Sequence, residues 1–333
     1  MKPDAPVMRT RIRLPFVLLG RLQQHDCIGR ELSLIFDDAQ TQLWLRINSS
    51  MTNLTVLYLA RKVNAPRFHR AFLESMINHP AGSDFRLVYI MKGYVKGEVD
   101  SVLESLREQL PCQVETLCYG DDISPSQIYF EIGKTLPFIL VFNSWSRILA
   151  PNWLNYFSNA LLTEPTCGVV GATGSHEGIP TAKFPNPSLR TNAFMMRGEV
   201  IRKLDLSDVE TRAGSLLFEA GGNSLTRQIQ RLGLSALVVD RRGQLWSEAT
   251  WSESETFRSG QQSGLLVADN RTAQYQYANF GRRRKLASLA WGNAELAERQ
   301  SITHCFSSKF SWFYPKGWRD VIGQLQNIGL TPS

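Results

Sequence analysis

The sequence predicts an α/β fold with a mostly parallel sheet flanked by helices, and three observations carry that expectation. Continuous apolar, β-rich runs at 54–60, 86–91 and 138–142 have the pattern of strands covered on both faces. Segments with apolar residues at helical spacing lie between them. The two kinds of element alternate over most of the chain with no internal repeat, which argues for parallel crossover units.

The elements follow in order. Residues 31–36 and 41–47 read as two strands around Asp37-Asp38-Ala39-Gln40, giving a small N-terminal β-hairpin over 1–50 with a packing or oligomerisation role. The main domain is expected over 51–275. Its first strand, 54–60, precedes a helix over 67–78 with Phe68, Phe72, Leu73, Met76 and Ile77 at helical spacing. Strand 86–91 and a helix around 101–109 come next, then strand 113–117 and a polar segment with Asp121 and Asp122. A helix over 124–134 leads into the strong strand 138–142. The pattern continues with helix 153–162, strand 168–172, a polar Pro-containing loop over 173–188 and the apolar stretch 193–196. A helix starting near Ser224 and a strand over 235–239 follow. Residues 246–270 are polar with Trp246, Trp251 and Phe257 interspersed. A helical, basic and aromatic extension is expected over 276–333, with helical patterning near 286–298.

Composition narrows the class. A chain of 333 residues can bury one large core and a smaller appendage. Its 43% apolar and 20% charged residues describe a globular protein rather than a disordered one. A net charge of +7 suits anionic partners such as nucleotide diphosphates or anionic lipid surfaces. Part of the excess is the run Arg282-Arg283-Arg284-Lys285, which is either a solvated face or a peripheral membrane contact. Trp291, Trp312, Phe313, Tyr314 and Trp318 lie beyond it. No nucleic-acid-binding module is recognisable, so no nucleic acid partner is expected. The five cysteines form no CxxC pair and have no histidine at metal-ligand spacing, which fits a reducing compartment. The early apolar run 14–19 is far short of the ~20 residues that span a bilayer and has no small-residue cleavage site behind it. A cytoplasmic protein is expected, with any membrane contact at the inner face.

Ligands of open α/β sheets bind beyond the carboxyl ends of the strands, and five segments fall there. Ala60-Arg61-Lys62 follows the first strand, either as a solvated turn or as cations facing a phosphate. Asp121 and Asp122 follow the third, either as a helix cap or as ligands of a ribose hydroxyl or a metal. Asn143-Ser144-Trp145-Ser146-Arg147 follows the strongest strand. Gly171-Ala172-Thr173-Gly174-Ser175-His176-Glu177 has the small residues that let backbone amides approach a ligand. In the fifth, Glu219 is read in a Gly-rich turn ahead of a helix capped by Asn223 or Ser224. It is either a helix-end hydrogen-bonding group or a general base.

Taken together, the segments from about residue 53 to 271 resemble a bacterial glycosyltransferase of the GT-A type, related to the large family 2 group. The likeness is densest over Phe142-Asn143-Ser144-Trp145-Ser146-Arg147 and onward to Leu154, then over 168–175. It continues through Phe184-Pro185-Asn186-Pro187, Leu189-Arg190-Thr191-Asn192-Ala193-Phe194, 218–227 and 265–271. The resemblance implies a Rossmann-like nucleotide-sugar-binding sheet and a role in surface-polysaccharide assembly, with a glycan or lipid-linked oligosaccharide as acceptor. It implies nucleotide-sugar contacts from Ala60, Arg61, Lys62, Asp121, Asp122, Asn143, Ser144, Trp145, Ser146, Arg190 and Asn192. Acceptor or sugar contacts would come from Gly174, Ser175, His176, Glu177 and Arg227, and the base of an inverting transfer from Glu219. The family carries a DxD motif after the strand that ends at Phe142, and here the sequence is Asn-Ser-Trp-Ser. Neutral amide and hydroxyl groups do not replace two carboxylates around a hard cation. The expectation is therefore a metal-independent enzyme with no cofactor, unless other carboxylates hold Mg or Mn. Arg147, Lys183 and Arg190, the last foremost, would neutralise the leaving diphosphate.

Two other readings stay open. One is a catalytically inactive scaffold of the same fold that binds a nucleotide sugar or glycan. The other is a nucleotidyltransferase, which calls for a glycine-rich phosphate loop where this chain has Ala60-Arg61-Lys62-Val63-Asn64.

Overall fold

A computed structural model of the chain describes residues 54–179, 182–207 and 209–296, all within the unit Thr52–Ser333. The N-terminal hairpin expected over 1–50 and the aromatic residues Trp312, Phe313, Tyr314 and Trp318 lie outside the described residues.

The alternation expected from the sequence is present. Strand β1 (Thr55–Arg61) leads to helix α1 (Pro66–Asn78), which begins with proline at its first turn, where the missing N–H costs nothing. Strand β2 (Arg86–Lys92) leads to α2 (Ser101–Leu106), whose N-cap Asp100 accepts the Val102 amide. Strand β3 (Gln113–Tyr119) is joined to α3 (Pro125–Gly133), capped by Ser124. Next come β4 (Phe138–Phe142), the short β5 (Arg147–Ile148), α4 (Trp153–Thr163) and β6 (Cys167–Gly171).

The segment 173–188, expected as a loop, carries a small hairpin of β7 (Gly174–Ser175) with β8 (Ser188–Leu189). Strand β9 (Ala193–Arg197) and the single turn α5 (Gly198–Ile201) follow. Helix α6 (Arg212–Ala220) is an element the sequence pattern did not announce, and α7 (Leu225–Arg231) starts after Ser224, which is its cap. Strands β10 (Ser235–Val239), β11 (Leu245–Trp246) and β12 (Val267–Ala268) come next, then α8 (Asn270–Gln276) and α9 (Phe280–Trp291). Helix α9 overlaps the expected span 286–298 but begins earlier, at Phe280, and ends earlier, at Trp291. Asn279 caps its start, and Gly292, at φ 74°, terminates it in the left-handed conformation.

Eight strands form one sheet in the order β11-β10-β6-β9-β4-β1-β2-β3. Strands β3, β2, β1 and β4 run parallel, as do β6 and β10; β9 is antiparallel between β4 and β6, and β11 is antiparallel at the edge. Each central strand is buried on both faces, so alternate residues enter two cores. Leu57, Leu59, Val141 and Phe194 pack on one side with Phe130 of α3, Phe218 of α6 and Ile229 of α7. On the other side Tyr58 stacks on Phe72 of α1 at 3.8 Å, and Phe142 meets Trp153 of α4 edge-on. Phe72 and Trp153 are fully buried, each contributing roughly 2 kcal/mol or more by area. Helix α9 adds Ala290 and Trp291 to the first core.

The chain moves from β1 outward through β2 and β3, then returns to the other side of β1 to lay down β4. That reversal is a topological switch point, where an open sheet leaves a crevice at the carboxyl ends of its strands.

Candidate active site

The carboxyl ends of β1 and β2 present a cation each. Arg61 and Lys92 are register partners across the two strands. Lys92 is buried, with its Nζ donating to Asp121 Oδ1 at 2.9 Å and to the Asp121 carbonyl, while Arg61 reaches the same carboxylate at 3.9 Å. Lys92 holds the Asp121 carboxyl below the usual carboxylate range. Gly93, at φ 79°, makes the turn that lets the β3–α3 connection close over Lys92. Asp122, next in that connection, is exposed and has no hydrogen-bond partner among the described residues.

Arg61, Lys92, Asp121, Asp122 and Glu219 line one cleft of ≈ 690 Å³, within the size range of small-molecule sites. Glu219 reaches it from α6. The sequence reading set Glu219 in a turn; it lies instead in the last turn of this helix. The helix stops at Gly221, where a Cβ would fall 2.5 Å from the Leu217 carbonyl oxygen. Burial pushes the Glu219 carboxyl up; the Thr191 hydroxyl, which donates to its Oε1 at 2.9 Å, and the nearby Arg190 charge act in the opposite direction. Tyr129 of α3 is buried with its hydroxyl unpartnered and feels the charges of both Glu219 and Arg61. Burial raises its pKa, so it remains a neutral phenol beside the carboxyl.

Other expected site residues are placed differently. Ala60 is fully buried in β1, and Lys62 pairs with Glu98 at 2.8 Å beside the Tyr94 ring. The turn Asn143–Ser146 spends its polar groups on itself. Asn143 Oδ1 accepts the Trp145 amide at 2.9 Å and the Ser146 hydroxyl at 3.0 Å, and that hydroxyl also donates to the Asn192 carbonyl. Trp145 packs on Phe68 at 4.2 Å. Ser144 and Ser146 are buried, and Asn192 is buried with its Oδ1 accepting from Thr173.

Arg190 bonds Asp269 at 3.1 Å and lies over the Phe257 ring at 4.5 Å. Arg258 lies over the same ring at 4.8 Å and is 1% exposed. Its Nη1 bonds Glu177 at 3.0 Å, so Glu177 is a partner of an interior cation. His176 packs between Trp251 and Trp291, and burial pushes its pKa down. Gly174 presses on Trp251, leaving no room for a Cβ. The Ser175 hydroxyl accepts the Glu177 amide, and Arg227 sits in the first turn of α7. Lys183 is exposed and Arg147 half-buried.

Sequence reasoning missed Lys92 and Tyr129. Lys92 ends an apolar strand, the same sign that singled out Arg61. Tyr129 carried no signal, because an aromatic at helical spacing reads as core. Among the described residues no group of three or more His, Cys, Asp or Glu side chains is arranged to hold a metal ion.

No protein-family model matches the chain, and no curated protein does. Similar solved structures include the apo form of mouse xyloside xylosyltransferase 1. It is 12% identical, with 56% of this chain aligned to 85% of that one and a TM-score of 0.36. A Staphylococcus aureus TarS fragment in complex with UDP is 14% identical over 50% of this chain and 54% of its own, with a TM-score of 0.34. A CMP:2-keto-3-deoxy-manno-octonic acid synthetase complexed with CTP is 11% identical over 56% and 88%, at 0.35.

Proposed function

We propose that this protein is a glycosyltransferase that binds a nucleotide sugar in the cleft at the switch point and moves the sugar to a glycan or lipid-linked acceptor. The observation that carries the reading is the meeting of Glu219 with the strand-end cations Arg61 and Lys92 in one cleft. Arg61 and Asp122 face the nucleotide, the latter as an acceptor for ribose or base N–H and O–H groups. Glu219 takes the proton of the acceptor hydroxyl as that oxygen attacks the anomeric carbon, and the nucleoside diphosphate leaves with the electrons of the broken glycosidic bond. Thr191 orients the carboxylate through its 2.9 Å hydrogen bond.

Electrostatics sets a condition on this chemistry. The cleft holds two cations against three carboxylates, Asp121, Asp122 and Glu219, so a nucleotide diphosphate needs further positive charge. Arg190, adjacent in sequence to the residue that bonds Glu219 and close enough for its charge to act on that carboxyl, would supply it on exchanging Asp269 for the phosphates. The turn Asn143–Ser146 brings no carboxylate, which supports metal-independent transfer. It equally supports a second reading, a non-catalytic nucleotide-sugar or glycan scaffold.

A thermal-shift screen with UDP-, GDP-, dTDP- and CMP-sugars, each with EDTA or with Mn²⁺ or Mg²⁺, tests the proposal. Stabilisation by one donor that survives EDTA, with slow donor hydrolysis lost in Glu219→Gln, is the expected result. Binding without turnover selects the scaffold, and no shift with any donor overturns the nucleotide-sugar reading.

A further inference from the structure

We infer that the outer face of helix α9 is a docking surface for an anionic lipid bilayer. From Phe280 to Trp291 the helix carries four cations, Arg282 to Lys285, and no acidic residue. Burial divides these positions by helical geometry. Arg283, Leu286, Ala287, Ala290 and Trp291 face the protein. Phe280, Arg284, Lys285 and Leu289 face out, with the small Gly281 and Ser288 between them. Phe280 is 44% exposed and Leu289 46%, two of the few large apolar side chains left in water among the described residues. At 100° per residue they bracket an arc of about 180° whose interior holds Arg284 and Lys285; Trp291 alone within it turns inward, at the last residue of the helix.

Cations flanked by apolar side chains on one helix face is the arrangement that lies in a membrane interface. The long basic chains at the centre of the arc reach the phosphates, and the two apolar side chains at its margins lie against the headgroup layer on either side. A single-stranded nucleic acid can stack a base on a phenylalanine ring, but an exposed leucine at the opposite margin offers it nothing, so a bilayer is the occupant favoured here. The basic run does not act as a block. Arg283 is 5% exposed, lies over Tyr275 at 4.6 Å and donates to the Gly260 carbonyl at 3.1 Å, so it anchors the helix and is unavailable to lipid.

The inference stands apart from the nucleotide-sugar reading, because vesicle binding is measured without donor. The 333-residue chain is sedimented with phosphatidylcholine vesicles with and without about 30% phosphatidylglycerol. Expected is binding only to the anionic vesicles and its loss as ionic strength rises. Arg284→Gln with Lys285→Gln lowers the partition coefficient about 30-fold. Phe280→Ser with Leu289→Ser also lowers it, while leaving circular dichroism and melting temperature unchanged. Arg283→Gln serves as the contrast, since it shifts the melting temperature downward. Equal binding to both vesicle types, or an Arg284/Lys285 variant that binds as well as the parent, overturns the inference. So does binding of an RNA oligomer that is lost in the Arg284/Lys285 variant but kept in the Phe280/Leu289 variant.

Discussion

Two turns leave the carboxyl ends of parallel strands in one sheet, β4 and β3, and they use their polar groups in opposite ways. The turn after β4 closes on itself: Asn143 caps Trp145 and Ser146, and Ser146 is tied to the carbonyl of Asn192, just ahead of β9. The turn after β3 opens outward: Asp121 anchors on the buried Lys92, and Asp122 stays in solvent with no partner. Both lie where an open sheet binds ligands. Position at a strand end is therefore insufficient to make a site; a group that has already satisfied its hydrogen bonds must break them to bind. By that criterion Asp122 and the second oxygen of Glu219 are the groups open to a ligand, whereas the β4 turn would first have to give up contacts it already makes.

The largest expected effect tests the cleft side of this contrast. Glu219→Gln removes the base while preserving shape and the Thr191 hydrogen bond, so turnover falls at least about 100-fold with donor affinity little changed. The same variant gains stability. A carboxyl whose folded pKa is raised binds more protons in the native state, so stability declines as pH climbs from the unfolded value of 4.5 through the folded one. Gln escapes that decline. Its melting temperature equals the parent's near pH 4 and exceeds it at pH 8. Equal melting temperatures at pH 8 would mean the carboxyl is better solvated than its burial implies. The raised pKa also moves the rising limb of the pH–rate profile above that of an ordinary glutamate.

The β4 side responds in the other currency, stability. Asn143→Ala strips the acceptor from the Trp145 amide and leaves the buried Ser146 hydroxyl only the Asn192 carbonyl, and should cost about 1–3 kcal/mol. Donor affinity should stay within twofold. Urea denaturation and isothermal titration on the same sample separate the two readouts. A large loss of affinity at unchanged stability would return this turn to the binding site.

Much of this arrangement is legible in the sequence, and the illegible parts have identifiable causes. Strands such as 235–239 are visible because residues buried on both faces leave an uninterrupted apolar run. The cleft's acidic pair and Arg61 are visible because they follow such runs directly. Helix α6 is obscured by Gly214 and by the Gly221-Gly222 break, so Glu219 looks like a turn residue although it ends a helix. The pairing of Glu177 with Arg258 spans 81 positions, and no local pattern reports it. Lys92 is hidden by its own strand, where its charge reads as a terminus until the register sets it beside Arg61.

Asp122→Ala probes the outward turn alone. An exposed carboxylate with no partner supports little of the fold, so the melting temperature should move by no more than about 1–2 °C. If Asp122 accepts a hydrogen bond from the nucleoside, donor affinity falls about tenfold. The pair of results for Asn143→Ala and Asp122→Ala is a crossed pattern: stability without affinity in one, affinity without stability in the other. Parallel losses in both variants would break the distinction between the turns.

The smallest effect is expected from Asn143→Asp, and it asks whether a carboxylate alone makes the β4 turn a metal site. Aspartate presents the same acceptor oxygen to the Trp145 amide and the Ser146 hydroxyl, so the turn should keep its geometry and the protein its stability. A hard divalent cation calls for about six oxygen ligands, and the neighbours available are the hydroxyls of Ser144 and Ser146, both buried and the latter already engaged. One added carboxylate in that setting leaves the ion short of ligands. Turnover and donor binding should therefore be the same in EDTA and in Mn²⁺, as in the parent. Stimulation by Mn²⁺ confined to this variant would show that the turn retains the geometry of a cation site and lacks only the charge.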